Sequence, residues 1–177
     1  MLKLQKKRKQ AGQALVEFAL TITVLFTFLS GIIDGALAFF AYQGLKGAAY
    51  EAVSYGSLFP LRSDGTINTQ EIRDRLRYES GAPNNNSGLR YVNLFDLDNS
   101  GGPDPEGVLN QRIQISFVDG AVAGTSPLNC ANPATLARQF CDIRVSVRYT
   151  YRSFFFAASI FGADTIDLTA TQQQTIP

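Results

Sequence analysis

The chain has 177 residues, 45% of them hydrophobic, and a net charge of +1. That is room for one domain plus an appended element, and the near-zero charge gives no ground for a nucleic-acid-binding surface or an acidic partner. Histidine is absent, which removes the commonest general base and the commonest metal ligand; with no G-x-S-x-G nucleophile motif and no phosphate-binding loop, the expectation is a protein that is not an enzyme.

The averages conceal a segregated chain. Lys3, Lys6, Lys7, Arg8 and Lys9 crowd the N-terminus without an acid among them. From Ala14 to Ile33 the sequence then runs through twenty residues with a single charge, Glu17. At a helical rise of about 1.5 Å per residue this block is about 30 Å long, the thickness of a bilayer's hydrocarbon core. It is too long and too continuous for a typical signal-peptide core. Helical patterning continues instead through Ala36, Leu37, Phe40, Leu45, Ala48, Ala49, Ala52 and Val53. One helix is therefore expected from about Gln13 to Gly56, its upper half outside the bilayer. The basic cluster holds the N-terminus in the cytoplasm and the bulk of the chain outside, in a single pass.

Glu17 lies about one turn inside the apolar block. An ionised side chain at the bilayer centre costs on the order of 2.5–3.5 kcal/mol, less near the edge, and usually faces protein. Two readings fit its depth: a carboxylate snorkelling to the interface, or an assembly contact. Gly31 and Gly35 form a small-xxx-small pair that would let helices approach closely; simple flexibility is the other reading. Asp34 marks the outer membrane boundary.

Past Pro60 the composition becomes globular. Asn68-Thr69-Gln70-Glu71 reads as a capped start of a short helix carrying Ile72 and Leu76. Residues 83–88 read as a loop and Leu89 to Phe95 as a strand. Arg112 to Val118 alternates with Ile113, Ile115 and Phe117 on one face, and Ile143 to Tyr151 alternates most clearly of all. Thr165 to Thr171 gives a last strand. The fold class expected is α+β, an antiparallel sheet packed on the outer half of the long helix. The apolar stretch from Phe154 to Phe161 serves as core or as an assembly surface. Cys130 and Cys141 read as a disulfide in an exported domain.

The stretch Asp96-Leu97-Asp98-Asn99-Ser100-Gly101 opens like an EF-hand calcium loop, with oxygen donors on alternate residues before a glycine, and Asp104 falls at the ninth position. Gly107 stands where the bidentate Glu belongs, Glu106 is one residue early, and Pro103 and Pro105 depart from the pattern. Asp96, Asp98, Ser100 and Asp104 are thus candidate calcium ligands or, alternatively, turn residues of a solvated acidic loop.

The residues around Glu17 carry a resemblance. Ala11-Gly12-Gln13-Ala14-Leu15-Val16-Glu17-Phe18 resembles the processing site of type IV-type prepilins, in which a basic leader ends in Gly and Glu stands fifth in the mature chain. The first third of the chain, through Gly31, Asp34 and the Ala48-Ala49/Glu51-Ala52 pattern, is similar to TadE-like minor pilins of tight-adherence (Flp) pili. The resemblance implies a leader (1–12) removed between Gly12 and Gln13 by a prepilin peptidase, a transmembrane and projecting helix (13–59), and an exported domain (60–177). It also implies assembly with other pilin-like subunits through Glu17, Phe18, Gly31, Asp34 and Gly35. Pairing of Glu17 with the freed Gln13 amine of a neighbouring subunit would relieve two desolvation costs at once. The competing class is a signal-anchored surface module that binds a ligand or calcium and whose helix only tethers.

Overall fold

The computed structural model describes residues 2–78, 92–119, 130, 132, 141–153, 162 and 165–177. Among the described residues, three helices and three strands follow in the order α1 (Leu2–Leu58), α2 (Thr69–Tyr78), α3 (Glu106–Arg112), β1 (Ile113–Asp119), β2 (Cys141–Arg152) and β3 (Thr165–Thr175). The chain divides into two units, residues 1–37 with 153–164, and residues 38–152 with 165–177.

In the first unit, α1 is predominantly apolar on every side from Ala14 to Ile33, with Glu17 its one charge. Leu15, Phe18, Leu25, Phe28 and Ile32 stand outward in different directions, Leu15 at 70% exposure and Phe18 at 65%. A helix greasy all round suits hydrocarbon or other helices, not water. Gly12–Leu58 is long and apolar enough to cross a membrane. The hydroxyls inside it are satisfied locally: Thr21, Thr23 and Thr27 donate to the carbonyls of Glu17, Ala19 and Thr23 at 2.8, 2.7 and 2.9 Å. Such back-bonding leaves no donor to be desolvated unpaired in lipid. At Asp34, the expected boundary residue, Oδ2 accepts a 2.7 Å hydrogen bond from the Ser153 hydroxyl.

In the second unit the same helix becomes one-sided. Ala41, Leu45, Ala48, Ala49, Ala52 and Val53 are buried at spacings of three and four, an amphipathic stripe facing a core. The alanines keep the helix surface flat, and Gly56 completes the flat strip. A methyl group added there would overlap Ile143 Cδ1 of β2 and lie 2.9 Å from Ile72 Cδ1 of α2. Helix, α2 and sheet therefore meet in one core, to which α2 adds Ile72 and Leu76.

The sheet has the order β1-β2-β3 with both pairings antiparallel. Alternation along β2 sends Cys141, Ile143, Val145, Val147, Tyr149 and Tyr151 inward and Arg144, Arg148 and Arg152 outward, with Asp142 buried at the strand's start. On the outward face Arg148 pairs with Asp167 at 2.7 Å, both partly solvated, so the pair contributes about 0–1 kcal/mol. The hydroxyl of Thr150 and then Arg148 hold the Asp167 carboxyl below the usual carboxylate range.

Three local expectations are corrected. Residues 92–95 are not a strand: Val92 and Leu94 are buried, but the Asn93 side chain accepts the Phe95 N–H at 3.0 Å and bends the chain into a turn. Arg112 ends α3, a helix the sequence pattern missed, and does not begin β1. Asn68 begins α2 with its backbone carbonyl, yet its side chain donates to Glu71 Oε2 at 2.9 Å while its own oxygen faces Arg62. A capping box would have used backbone donors. Residues 83–91 and the apolar stretch 154–161 lie outside the described residues.

Cys130 and Cys141 are joined in a disulfide across a sequence separation of 11. They sit in a satellite cluster with Ile176, flanked by Leu61, Ile67 and Phe117. Replacing both cysteines with serine is expected to lower the unfolding free energy by about 2–3 kcal/mol through loop-closure entropy. The urea midpoint reads this directly, and a midpoint unchanged from the oxidised protein would refute it.

Candidate functional site

Two groups of residues invite a functional reading, one on the apolar helix and one in a loop of the globular unit.

On α1 the residues Gln13, Glu17, Phe18, Gly31, Asp34 and Gly35 lie in two stretches of the helix, all exposed except the half-buried Asp34. Gln13 and Glu17 are one turn apart, and Gln13 Nε2 donates to Glu17 Oε1 at 3.0 Å. The helical period therefore brings the carboxylate beside the residue that precedes it by four, where a new N-terminus would arise if the chain were cut after Gly12. Among the described residues, no atom outside the helix backbone would meet a Cβ placed at Gly12, Gly31 or Gly35. Gly31 and Gly35 thus form a shallow notch on an otherwise bulky surface, open to another helix.

The loop between residues 96 and 104 is built around its own backbone. Asp96 accepts the N–H groups of Ser100 and Gly101 at 2.8 and 2.9 Å, one on each oxygen. Asp98 Oδ1 also accepts the Ser100 N–H, at 3.0 Å. Asp104 Oδ2 accepts the Leu97 N–H at 2.6 Å, while its own N–H donates to the Phe95 carbonyl. The sharp reversal needs Asn99 and Gly101 at φ values of 56° and 99°, a region where glycine and asparagine are least strained. One carboxylate oxygen from each of Asp96, Asp98 and Asp104 falls within 4.8 Å of the others.

Electrostatically the three acids differ. Burial pushes the Asp104 carboxyl up, against the Leu97 hydrogen bond, and the charges of Asp98 and Asp96 add to the rise. Asp98, at the rim, is drawn down by its bonds to Ser100. Of the four ligands expected from sequence, three converge. Ser100, the fourth, sits beside them: its hydroxyl is 3.5 Å from Asp96 Oδ1, and its backbone N–H donates to Asp96 and Asp98. Glu106 stands exposed at the start of α3, away from that role.

Sequence reasoning missed how the loop is held. Arg112 donates to the Leu97 carbonyl at 3.1 Å and to the Thr150 hydroxyl at 2.9 Å, and the Thr150 N–H reaches the same carbonyl at 2.8 Å. Leu97 itself is fully buried. Tyr149, beside the loop, has its phenol pushed up by burial. Only the apolar character of Leu97 amid acids hinted at this anchorage.

No curated protein and no solved structure matches the chain. Residues 12–54, which begin at Gly12 and contain Gln13, Glu17, Phe18, Gly31, Asp34 and Gly35, match the model of the TadE-like protein family, so the likeness covers the long helix and about a quarter of the chain.

Proposed function

We propose that this protein is a pilin-like structural subunit of an extracellular bacterial filament or of its assembly apparatus, working by helix packing and not by catalysis. Residues 1–12 are its leader, residues 13–59 its membrane and packing helix, and residues 60–177 its exported domain. A prepilin peptidase cuts between Gly12 and Gln13, leaving Glu17 fifth in the mature chain. The N-terminus stays on the cytoplasmic side of the inner membrane until the subunit is drawn into the filament. Its partners are other pilin-like subunits, contacted through Glu17, Phe18, Gly31, Asp34 and Gly35.

The observation that carries the reading is the TadE-like match over residues 12–54, centred on a helix that is apolar all round yet holds one acid near its inner end. A helix serving only as a tether has no use for that acid. In lipid it costs on the order of 2.5–3.5 kcal/mol at the bilayer centre, and a neighbour's positive charge offsets the cost.

Mass spectrometry of the protein purified from its native membrane tests the cut. The expected first residue is Gln13. A mature chain that retains the basic leader would overturn the processing step and, with it, the pairing of a new amine with Glu17.

A further inference from the structure

Independently of the assembly reading, we propose that Asp96, Asp98 and Asp104 form a calcium site in the globular unit. Convergence of three acids would carry little by itself; the second observation is the burial state of Asp104. This residue is 6% exposed, and while its Oδ2 is bonded to the Leu97 N–H, its Oδ1 is buried with no hydrogen-bond partner among the described residues. A buried carboxylate oxygen without a donor is costly, and it is normally found paired or bound to a metal. Asp96, 5% exposed, stands with it, and both face Asp98 at the rim.

The dimensions fit one cation. Calcium binds oxygen at about 2.3–2.6 Å, so two of its ligands are separated by at most about 5 Å. The three carboxylate oxygens here all lie within 4.8 Å of one another, inside that limit. The donors are hard oxygens, with no histidine in the chain and both cysteines in a disulfide, a set that suits calcium and not zinc or copper. The carboxylates are held by backbone N–H groups of Ser100, Gly101 and Leu97, so the cluster is oriented without using up every lone pair. Solvent on the Asp98 side gives a route of entry and supplies water to complete the coordination shell. The site departs from an EF-hand: Asp104 reaches it from beyond Pro103, and Glu106 takes no part.

The loop is fixed to the sheet through Leu97 and Thr150, so a bound ion would brace β2. The test is titration of the full-length protein in detergent micelles with calcium chloride alone, by calorimetry and by thermal unfolding. Saturation is expected at roughly 0.1–1 mM, the range of extracellular calcium modules, with the melting temperature rising as the site fills. Asp98→Asn, at a partly exposed position, keeps the fold and is expected to weaken binding at least tenfold. Asp104→Asn is expected to abolish it, and Asp64→Asn, outside the loop, to leave it intact. No heat and no shift at 10 mM calcium overturns the site, as does an equal shift in the wild type and Asp98→Asn. A response to magnesium as strong as that to calcium overturns the choice of ion. None of these outcomes bears on leader cleavage, so the two readings fail separately.

Discussion

Glu17→Gln is expected to abolish filament assembly while leaving the cut after Gly12 intact. The variant keeps the shape and the polar character of the side chain and removes only the charge. If the carboxylate pairs with the α-amine of a neighbouring subunit in the low-dielectric space between helices, removing it leaves that amine uncompensated, at a cost of about 3–5 kcal/mol for each contact. That corresponds to a loss on the order of a hundredfold or more in association at every step of growth. In the uncut chain Glu17 Oε1 is bonded to the Gln13 side chain, not to an amine. Gln13→Ala therefore separates the two contributions: it deletes the amide bond, keeps a free amine after cleavage, and is expected to assemble far better than Glu17→Gln. Filaments counted by electron microscopy, alongside the mass of the membrane-bound subunit, give both readouts. Normal filaments from a correctly processed Glu17→Gln protein would remove the charge pair from the account. Replacing residues 18–33 with an unrelated apolar helix sharpens the contrast, because a mere tether tolerates the exchange and a packing helix does not.

What could be read from sequence follows from the range of the interactions involved. The long helix was legible because length, hydropathy and charge are summed over many residues, and because Ala41, Leu45, Ala48, Ala49, Ala52 and Val53 repeat at helical spacing into the core. Strand β2 was legible for the same reason at period two. Helix α3 was not: seven residues with only Val108 and Leu109 apolar give no period, and Pro105 precedes them without a side-chain cap. Val92 and Leu94 imitated a strand because both are buried, while the deciding contact, from Asn93 to the Phe95 N–H, is a local hydrogen bond that hydropathy does not register. In the acidic loop the alternation of Asp96 and Asp98 was visible. The burial of Asp104 depends on Leu97, Arg112 and Thr150, which are brought together only by the folded sheet.

Ile143→Ala is expected to destabilise the globular unit by about 2–5 kcal/mol, the range for emptying a fully buried aliphatic position. The site has little freedom to collapse. Ile143 is wholly buried in the central strand, paired with Phe117 on one side and Gln174 on the other, so backbone hydrogen bonds on both edges hold its Cα in place. Opposite it stands Gly56 of α1, whose missing side chain is the space that Ile143 Cδ1 occupies. That arrangement makes a sharper prediction than the single truncation. Gly56→Ala alone gains about 1 kcal/mol of helix propensity but forces two buried methyl groups aside, a strain of about 1–3 kcal/mol. Ile143→Val removes the Cδ1 atom and costs about 0.5–1.5 kcal/mol by itself. Together they exchange one methyl group for another across the helix–sheet contact, so the double variant is expected to be more stable than the sum of the two singles predicts, by on the order of 0.5–1 kcal/mol. Ile72 Cδ1 would still lie 2.9 Å from the new Cβ, which is why the rescue stops short of complete. Urea unfolding of the four proteins in detergent measures the coupling. Strict additivity would mean that Gly56 and Ile143 do not share a packing site, and the proposed seating of helix on sheet would have to be redrawn.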